Sequence, residues 1–494
     1  NPPNVKALWN MRRTGLKLLN LRPKTVRKAP VQEKTESNVD LTSLPTLKCW
    51  PDDGGRFITL GLAVSADPLS DTYNMGIYRM QLYDATTTGM HMQIQKGGGF
   101  HYHAAEKSGH PLEMAAVLGG DPALILAAVM PLPEGMDEIA FSGLLRGRRT
   151  RVAKSATLGL RVPANAEFIL EGTVPPQIRR LEGPFGDHYG HYSEASDFPV
   201  FNVRAITRRR DPIYPAAIVG KPPQEDRYIG DAAQLALKPM IRLIHPEVRD
   251  IWAYYQAGFH NLLVVSVDTR YTREPLKAAL GLLGEGQLSL TKTLILVGPD
   301  VDVTSFSSVL SAIRRHFRSE EDFLLIARAT VDTLDFTGDG MHLGSKMVLD
   351  ATVAGRAQTT SAVPIPKDLS AIAPSVLKWR LIDHTLLAVQ VSKNGRSAAE
   401  AIAKCPLLAA VKIVAVVSED VDIDDEVSLL WGIFTRFDPA RDLVFTQTKL
   451  RGSLPIYSGV MVIDATWKKG YPAPLEMSPE IVRRVDGRWT EYWK

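Results

Sequence analysis

Apolar and polar positions change their rhythm about halfway along the chain. Between 57 and 225 the apolar residues come in short β-rich runs, among them Phe57-Ile-Thr-Leu-Gly-Leu-Ala-Val64 and Phe168-Ile-Leu-Glu-Gly-Thr-Val174, bounded by turn residues. That is the pattern of strands joined by tight connections. A helix is expected at 111–118, ahead of Asp121-Pro122, and a short one around 5–19 before a polar, Pro-containing connector. From Asp226 to Leu243 the apolar spacing is helical, which predicts a linker helix leaving the first domain. Beyond it, runs such as Leu262-Leu-Val-Val-Ser-Val267 and Thr293-Leu-Ile-Leu-Val297 alternate with helical stretches at 306–317 and 426–437. Alternation of this kind predicts an α/β layer domain.

The second half also repeats itself. Val297-Gly-Pro-Asp-Val-Asp-Val303 matches Val417-Ser-Glu-Asp-Val-Asp-Ile423, and Met347-Val-Leu-Asp-Ala-Thr352 matches Met461-Val-Ile-Asp-Ala-Thr466. Upstream, Leu262-Leu-Val-Val matches Leu386-Leu-Ala-Val. Matches in one order at nearly constant offset mark an α/β unit present twice, near 250–352 and 375–466, joined through Val363-Pro-Ile-Pro-Lys-Asp. The 494 residues correspond to about three domains at ~150 residues each. The expected boundaries are 1–225, a linker region at 226–249, 250–355, and a second copy with the tail at 356–494. A duplicated unit suits assembly, because an active site seldom needs two copies.

Composition removes several classes of function. Apolar residues make up 45% and charged residues 23% of the chain, ordinary for a globular protein with a sizeable core. The 58 basic and 54 acidic side chains leave +4, which gives no case for nucleic acid. The basic clusters Arg146-Gly-Arg-Arg149 and Arg208-Arg-Arg210 read as solvated loop or helix-end charge. Two distant cysteines, Cys49 and Cys405, make neither a disulfide framework nor a Cys-rich zinc site, which fits a reducing, cytoplasmic setting. No apolar run reaches the ~18 residues of a membrane span, and the N-terminus lacks a signal-peptide apolar region.

One turn carries the strongest chemistry. Glu182 and Asp187 flank Gly183, Pro184 and Gly186 within Glu182-Gly-Pro-Phe-Gly-Asp187-His-Tyr-Gly190. Glycines and proline make a turn that lets backbone approach a ligand, and two carboxylates at one cavity can split their pKa values so that one holds a proton near neutrality. A polar turn with an Asp cap fits the same spacing. Asn74-Met-Gly-Ile-Tyr-Arg79 precedes the Gly-rich Gly89-Met-His91-Met-Gln-Ile-Gln-Lys-Gly-Gly-Gly99, and an arginine near such a loop suits a phosphate or carboxylate. The apolar Gly120-Asp-Pro-Ala to Pro133 run then leads to Glu138. No P-loop, dinucleotide fingerprint, HExxH or GxSxG pattern is present.

Taken together, these motifs resemble the UbiD family of decarboxylases. Asn74 to Arg79, His91, Asp121-Pro-Ala to Pro133, Glu138, Val162-Pro-Ala-Asn-Ala-Glu-Phe-Ile-Leu-Glu-Gly172, Glu182 to Asp187 and Gly220-Lys-Pro-Pro223 follow in the family's order. The resemblance implies an α/β (α+β) chain: a mainly β/α cofactor-binding domain, a linker helix, and an internally duplicated α/β oligomerisation domain. The segment before Asn74 is shorter than in the family, which suggests that part of the N-terminal domain is missing. The implied reaction is reversible, non-oxidative decarboxylation of an aromatic acid with prenylated FMN, which takes up the electrons released with CO2. Glu182 would donate the proton, Arg79 would hold the substrate carboxylate and orient Glu182, and Asp187 would pair with Arg79. A protonated Glu182 calls for a dry pocket and a neighbouring acid. Asn74, Ile77, Arg79, Met130 and Lys292 would contact the cofactor, with Lys412 the counterpart of Lys292 in the repeat. Asn74, His91 and Glu138 would hold manganese or magnesium at its phosphate, and a potassium ion is implied without assigned ligands. Gly286-Gln-Leu-Ser-Leu-Thr-Lys292 and Asp332-Thr-Leu-Asp-Phe-Thr337 resemble long-chain members linked to menaquinone biosynthesis. The implied partners are a flavin prenyltransferase that supplies the cofactor and further copies of the chain, as a homodimer or larger oligomer. The other readings are a polyprenyl-hydroxybenzoate or other aromatic-acid (de)carboxylase, and a non-catalytic flavin-binding assembly protein.

Overall fold

A computed structural model of the chain describes residues 17–70, 72–92, 97–130, 132, 135–353 and 365–493. Most of the expected helix at 5–19, part of the Gly-rich segment before Gly97, and part of the join near 363 lie outside the described residues.

The first half is built on one antiparallel sheet. Its path strands are β1 (Gly61–Ala66), β2 (Tyr73–Ile77), β3 (Leu112–Leu118), β4 (Phe168–Val174), β5 (Arg179–Glu182) and β6 (Ser196–Arg208), in spatial order β5-β6-β4-β3-β1-β2. Lys34–Glu36 and Thr87–Gly89 also pair with β6. Among the described residues, three helices pack around this sheet: α1 (Gly97–Ser108), α2 (Pro122–Val129) and α3 (Glu138–Arg146). The expected run from Phe57 to Val64 is interrupted, with Phe57–Ile58 pairing separately with Met80–Gln81.

The helix expected at 111–118 is instead the central strand β3, paired with β1 on one side and β4 on the other. Its Leu, Met and Ala residues favour helix intrinsically, but both faces of this strand are covered. Ala115 and Val117 enter one apolar cluster with Leu62, Val64 and Ile169, while Met114, Ala116 and Leu118 enter another with Ala63, Phe168 and Leu170. Burial on both faces removes the alternation that would reveal a strand, and the tertiary environment overrides propensity. The helix lies earlier, in α1, which starts on the glycines at 97–99.

Helix α4 (Asp226–Ile244) then leads to two sheets of identical order. The first contains β7 (Val248–Ala253), β8 (Leu262–Val267), β9 (Thr293–Val297), β10 (Phe323–Thr330) and β11 (Leu343–Ala351), arranged β7-β8-β9-β11-β10. The second contains β12 (Val376–Ile382), β13 (Leu386–Val391), β14 (Ile413–Ser418), β15 (Leu443–Arg451) and β16 (Leu454–Ala465), arranged β12-β13-β14-β16-β15. The central pairs β8/β9, β9/β11, β13/β14 and β14/β16 are parallel. Backbone details repeat too: Met347 N donates to Lys292 O at 2.9 Å and Met461 N to Lys412 O at 3.2 Å. The copies share one core, where Val264, Ile295 and Leu349 of the first cluster with Ala388, Ala415 and Ile463 of the second. Leu263, Val265, Leu294 and Leu296 face the opposite side, into a separate cluster. Each sheet therefore covers one apolar face of the other, a physical reason for having both copies.

Candidate active site

The acid turn begins where β5 ends at Glu182. Gly183 has φ +97° and Gly190 φ +76°, backbone that favours glycine. Between them Phe185–Gly186 pairs with Tyr192–Ser193 as a short ladder. Two side chains not singled out in the sequence pin this turn to the first sheet's neighbourhood. Gln81 accepts from Gly183 N at 2.8 Å and donates to Gly54 O at 2.9 Å, while Asp53 accepts from Gly186 N at 2.8 Å and from Trp50 N at 2.8 Å. They bring the turn against Arg79, just past β2.

Arg79 lies between the two acids. Its Nε donates to Glu182 Oε1 at 2.8 Å and its NH1 to Asp187 Oδ2 at 2.7 Å. The side chains of Arg79 and Glu182 are 7% and 0% exposed, so water does little to weaken their attraction. The Arg79 guanidinium also stands over the Phe185 ring, 4.6 Å from its centroid. His91 Nδ1 lies 3.1 Å from the same Glu182 oxygen. On the far side of Asp187, His188 Nδ1 is 2.8 Å from Oδ1. Arg79 NH2 and Glu182 Oε2 are buried with no hydrogen-bond partner among the described residues.

This geometry reverses one expectation. Burial pushes the Glu182 carboxyl up, but the hydrogen bond from His91 and the charge and hydrogen bond of Arg79 outweigh it and hold Glu182 below the usual carboxylate range, while burial and Arg79 keep His91 itself low and neutral. Asp187 is half-buried, which raises it, yet His188 and Arg79 hold it low. The neighbouring acid does not raise Glu182, because a guanidinium stands between them. A protonated Glu182 therefore requires that Arg79 or His91 be engaged elsewhere.

A second group gathers along β2 and the start of α3. Glu138 Oε2 accepts from Met75 N at 2.8 Å, and burial pushes this carboxyl up to about 7 despite that bond. The Asn74 amide oxygen, in the orientation that satisfies its neighbours, accepts from Met75 N at 3.3 Å and Gly98 N at 3.2 Å. A side chain on Gly97 would overlap the Asn74 amide, so the glycines here allow α1 to begin against β2. Ile77 and Met130 pack in the cluster that also contains Met75 and Ile139. The donor set fits a divalent cation: amide and carboxylate oxygens at one place, with a half-buried acid whose charge a cation would stabilise. His91 is turned to Glu182, and among the described residues no three His, Cys, Asp or Glu side chains converge on one point.

Lys292 is seated apart from both groups. Its Nζ is 2.9 Å from Asp335 Oδ2 and 5.2 Å from the Phe437 ring centroid. The charge of Asp335 acts in turn on Tyr189 of the acid turn, whose hydroxyl donates to Asn261. Lys412 Nζ donates instead to Phe317 O at 3.0 Å. The turn is also fastened to the second repeat and the tail: Trp431 Nε1 donates to Tyr189 O at 3.0 Å and Leu475 N to Gly190 O at 2.9 Å.

Comparison with known proteins gives a consistent result over this whole arrangement. Residues 24–222 match the 3-octaprenyl-4-hydroxybenzoate carboxy-lyase Rift-related domain of UbiD, and residues 227–351 and 365–465 match the C-terminal domain of the same carboxy-lyase. The chain is 37% identical over 491 residues to a 4-hydroxybenzoate decarboxylase subunit from Chlamydia pneumoniae, over 99% of this chain and 83% of that protein. Its fold matches vanillic acid decarboxylase of Sedimentibacter hydroxybenzoicus in the closed form with a TM-score of 0.66 and 25% identity, over 75% of this chain and 80% of that one. It matches the UbiD-class enzyme HmfF of Pelotomaculum thermopropionicum, solved with FMN, with a TM-score of 0.62 and 26% identity, over 71% and 80% of the two chains.

Proposed function

The chain belongs to the UbiD family of carboxy-lyases, and on that footing we propose that it decarboxylates an aromatic acid with prenylated FMN, the acid being a dihydroxynaphthoate-type quinone precursor. The observation that carries this reading is Arg79 bonded to both Glu182 and Asp187, with Arg79 NH2 and Glu182 Oε2 buried and unpartnered beside it. One atom can donate to an incoming carboxylate, and the other can carry a proton.

Arg79 binds the substrate carboxylate through its fork and so positions the carbon that loses CO2. Charge from the substrate competes with Glu182 for Arg79, which raises the affinity of Glu182 for a proton. Glu182 then gives that proton to the carbon. Asp187 keeps Arg79 oriented throughout. Prenylated FMN, when bound, would supply the sink for the electron pair that the departing CO2 leaves on the substrate carbon. Asn74 and Glu138 would hold manganese or magnesium, which would neutralise the charge of the cofactor's phosphate, with His91 as a further donor if its ring turns from Glu182. Ile77 and Met130 would line the cofactor's apolar side, while Lys292, seated apart from them, holds Asp335 in the C-terminal unit. A potassium ion, a homodimeric or larger assembly, a flavin prenyltransferase as supplier and a cytoplasmic location complete the proposal. No described helix is long and apolar enough to cross a membrane.

A second reading, decarboxylation of a hydroxybenzoate, is favoured by the 37% identity to the chlamydial 4-hydroxybenzoate decarboxylase protein. Co-expression with a flavin prenyltransferase, followed by a CO2-release screen over dihydroxynaphthoates, hydroxybenzoates and heteroaromatic acids, separates the two. Retention of no prenylated flavin would remove the enzymatic reading. Turnover of hydroxybenzoates alone would remove the quinone-precursor substrate.

A further inference from the structure

The two oxygens of Asp187 are held by different cationic groups. Oδ2 takes the hydrogen bond from Arg79 NH1 at 2.7 Å. Oδ1 takes two from the next residue, His188: backbone N at 2.8 Å and ring Nδ1 at 2.8 Å. The backbone bond fixes where the ring can stand, and the ring bond fixes the plane of the carboxylate. Asp187 can therefore present Oδ2 to Arg79 only while His188 keeps this position.

His188 is itself surrounded by carboxylates from separate parts of the fold. Besides Asp187, the charges of Asp332 and Asp226 act on it. Asp332 follows β10 in the C-terminal unit and is hydrogen bonded to His260 Nδ1 and to Leu334 N. Asp226 is the first residue of α4, and its Oδ1 is buried with no hydrogen-bond partner among the described residues. Phe259 and Tyr189 cover the ring from two sides, with centroids at 6.3 and 6.1 Å. Arg79 is a further cation beside the group, separated from His188 by Asp187, and His260 pairs with Asp332. The ring is 27% exposed, enough to exchange a proton with water.

We propose that His188 is a positioning residue for the reaction: as an imidazolium held by Asp187 and favoured by the more distant carboxylates Asp332 and Asp226, it keeps Asp187 anionic and aimed at Arg79, and makes the pH range of that state depend on the C-terminal unit. Burial opposes the charge on His188, but the Asp187 hydrogen bond and the three carboxylate fields outweigh it and push the ring up to about 9. If the C-terminal unit swings away, Asp332 withdraws and the ring binds its proton less tightly. Asp187 then keeps its second cation over a narrower pH range. The inference rests on the reading of Asp187 as the partner of Arg79 in decarboxylation, but its test uses no substrate.

The full chain is labelled with [13Cε1]histidine and titrated by NMR, the His188 resonance being assigned by its loss in His188→Gln. The expected midpoint is near 9 in the parent protein, falling by at least about one pH unit in Asp332→Asn and in Asp226→Asn. In [15N]arginine-labelled protein, Arg79 Nε should be flat between pH 4.5 and 8, and in His188→Gln it should shift within that window as Asp187 titrates. A parent midpoint at or below 6.5, or one that neither Asn variant moves, overturns the proposal. A flat Arg79 signal in His188→Gln overturns the positioning role. Should His188→Gln not fold, loss of the resonance in His188→Phe supplies the assignment, and the two Asn variants, which leave the acid turn intact, still decide the matter. Failure of these titrations leaves the decarboxylase reading standing, whereas failure of the substrate screen leaves the titrations unaffected.

Discussion

Arg79 donates Nε to Glu182 Oε1 across 2.8 Å at a depth where the two side chains are 7% and 0% exposed. A buried carboxylate deprived of its cation is costly, so Arg79→Met, which leaves Glu182 and Asp187 facing each other, should destabilise the protein by about 3–5 kcal/mol. Arg79→Lys retains the charge but not the fork that serves both acids. It should preserve most of the stability and still lower CO2 release by at least ~100-fold, the scale expected of misplaced reacting groups. Thermal unfolding at one scan rate, paired with turnover of the loaded protein, separates these effects. A fully active lysine variant would remove Arg79 from the reaction.

Glu182→Gln keeps the shape of the side chain and its acceptor toward Arg79 Nε, but it cannot deliver a proton. Decarboxylation should fall by ~10²–10⁴-fold, the usual contribution of a general acid, with retention of prenylated flavin unchanged. The visible spectrum checks retention, and CO2 release under single-turnover conditions checks the chemistry. Undiminished turnover would refute the proton-donor role.

The sequence was most legible where burial leaves a plain trace. Leu262–Val267 and Thr293–Val297 are continuous apolar runs because they are parallel strands covered on both faces. The duplication was equally plain, since the two sheets keep the same turns and strand ends. Leu112–Leu118 misled because its Met and Ala residues favour helix locally, while the decisive contacts come from strands some 50 residues away on either side. In the site, Arg79, Glu182 and Asp187 stood out as ordered motifs, and the structure brings all three together. The ionisation of Glu182 was not legible. Spacing shows two acids near each other, but not that a guanidinium comes between them. Asp53 and Gln81 left no signal either, because each is a single polar residue whose importance lies in distant backbone amides.

Gly97 offers a test of the Asn74–Glu138 group that leaves the acid turn alone. A methyl group at this position would overlap the Asn74 amide. Alanine should otherwise favour helix over glycine by ~1 kcal/mol, so lost function could not be put down to a weaker α1. Gly97→Ala should reduce retained manganese and flavin at least ~10-fold, as displacement of a ligand or its support does, with an unchanged circular dichroism spectrum. Metal analysis after dialysis, beside the visible spectrum, is the measurement. Full retention of both would place the cation elsewhere.

His191 predicts that the junction between the two halves is sensitive to acid. Its ring is 2% exposed and stacks on Trp431 with centroids 5.2 Å apart. Nδ1 lies 3.1 Å from Tyr189 O, and Nε2 accepts from Arg436 Nε at 3.4 Å, so a second ring proton would meet a donor and a positive charge. Burial first, and Arg436 second, push the ring down to about 3. In the unfolded chain the ring binds its proton near 6.5, so below that pH the unfolded state holds more protons than the folded one. The stability from a neutral His191 is therefore complete above about 6.5 and declines by about 1.4 kcal/mol per pH unit below it, to a loss of about 2 kcal/mol at pH 5. His191→Gln should cost stability at pH 8, where the ring's stacking is lost, and show a shallower decline toward pH 5. The difference between the two proteins isolates this ring from the other groups that titrate in the window. Urea unfolding at steps from pH 8 to 5 measures it, and equal slopes in both proteins would mean that the ring gains its proton without leaving the junction.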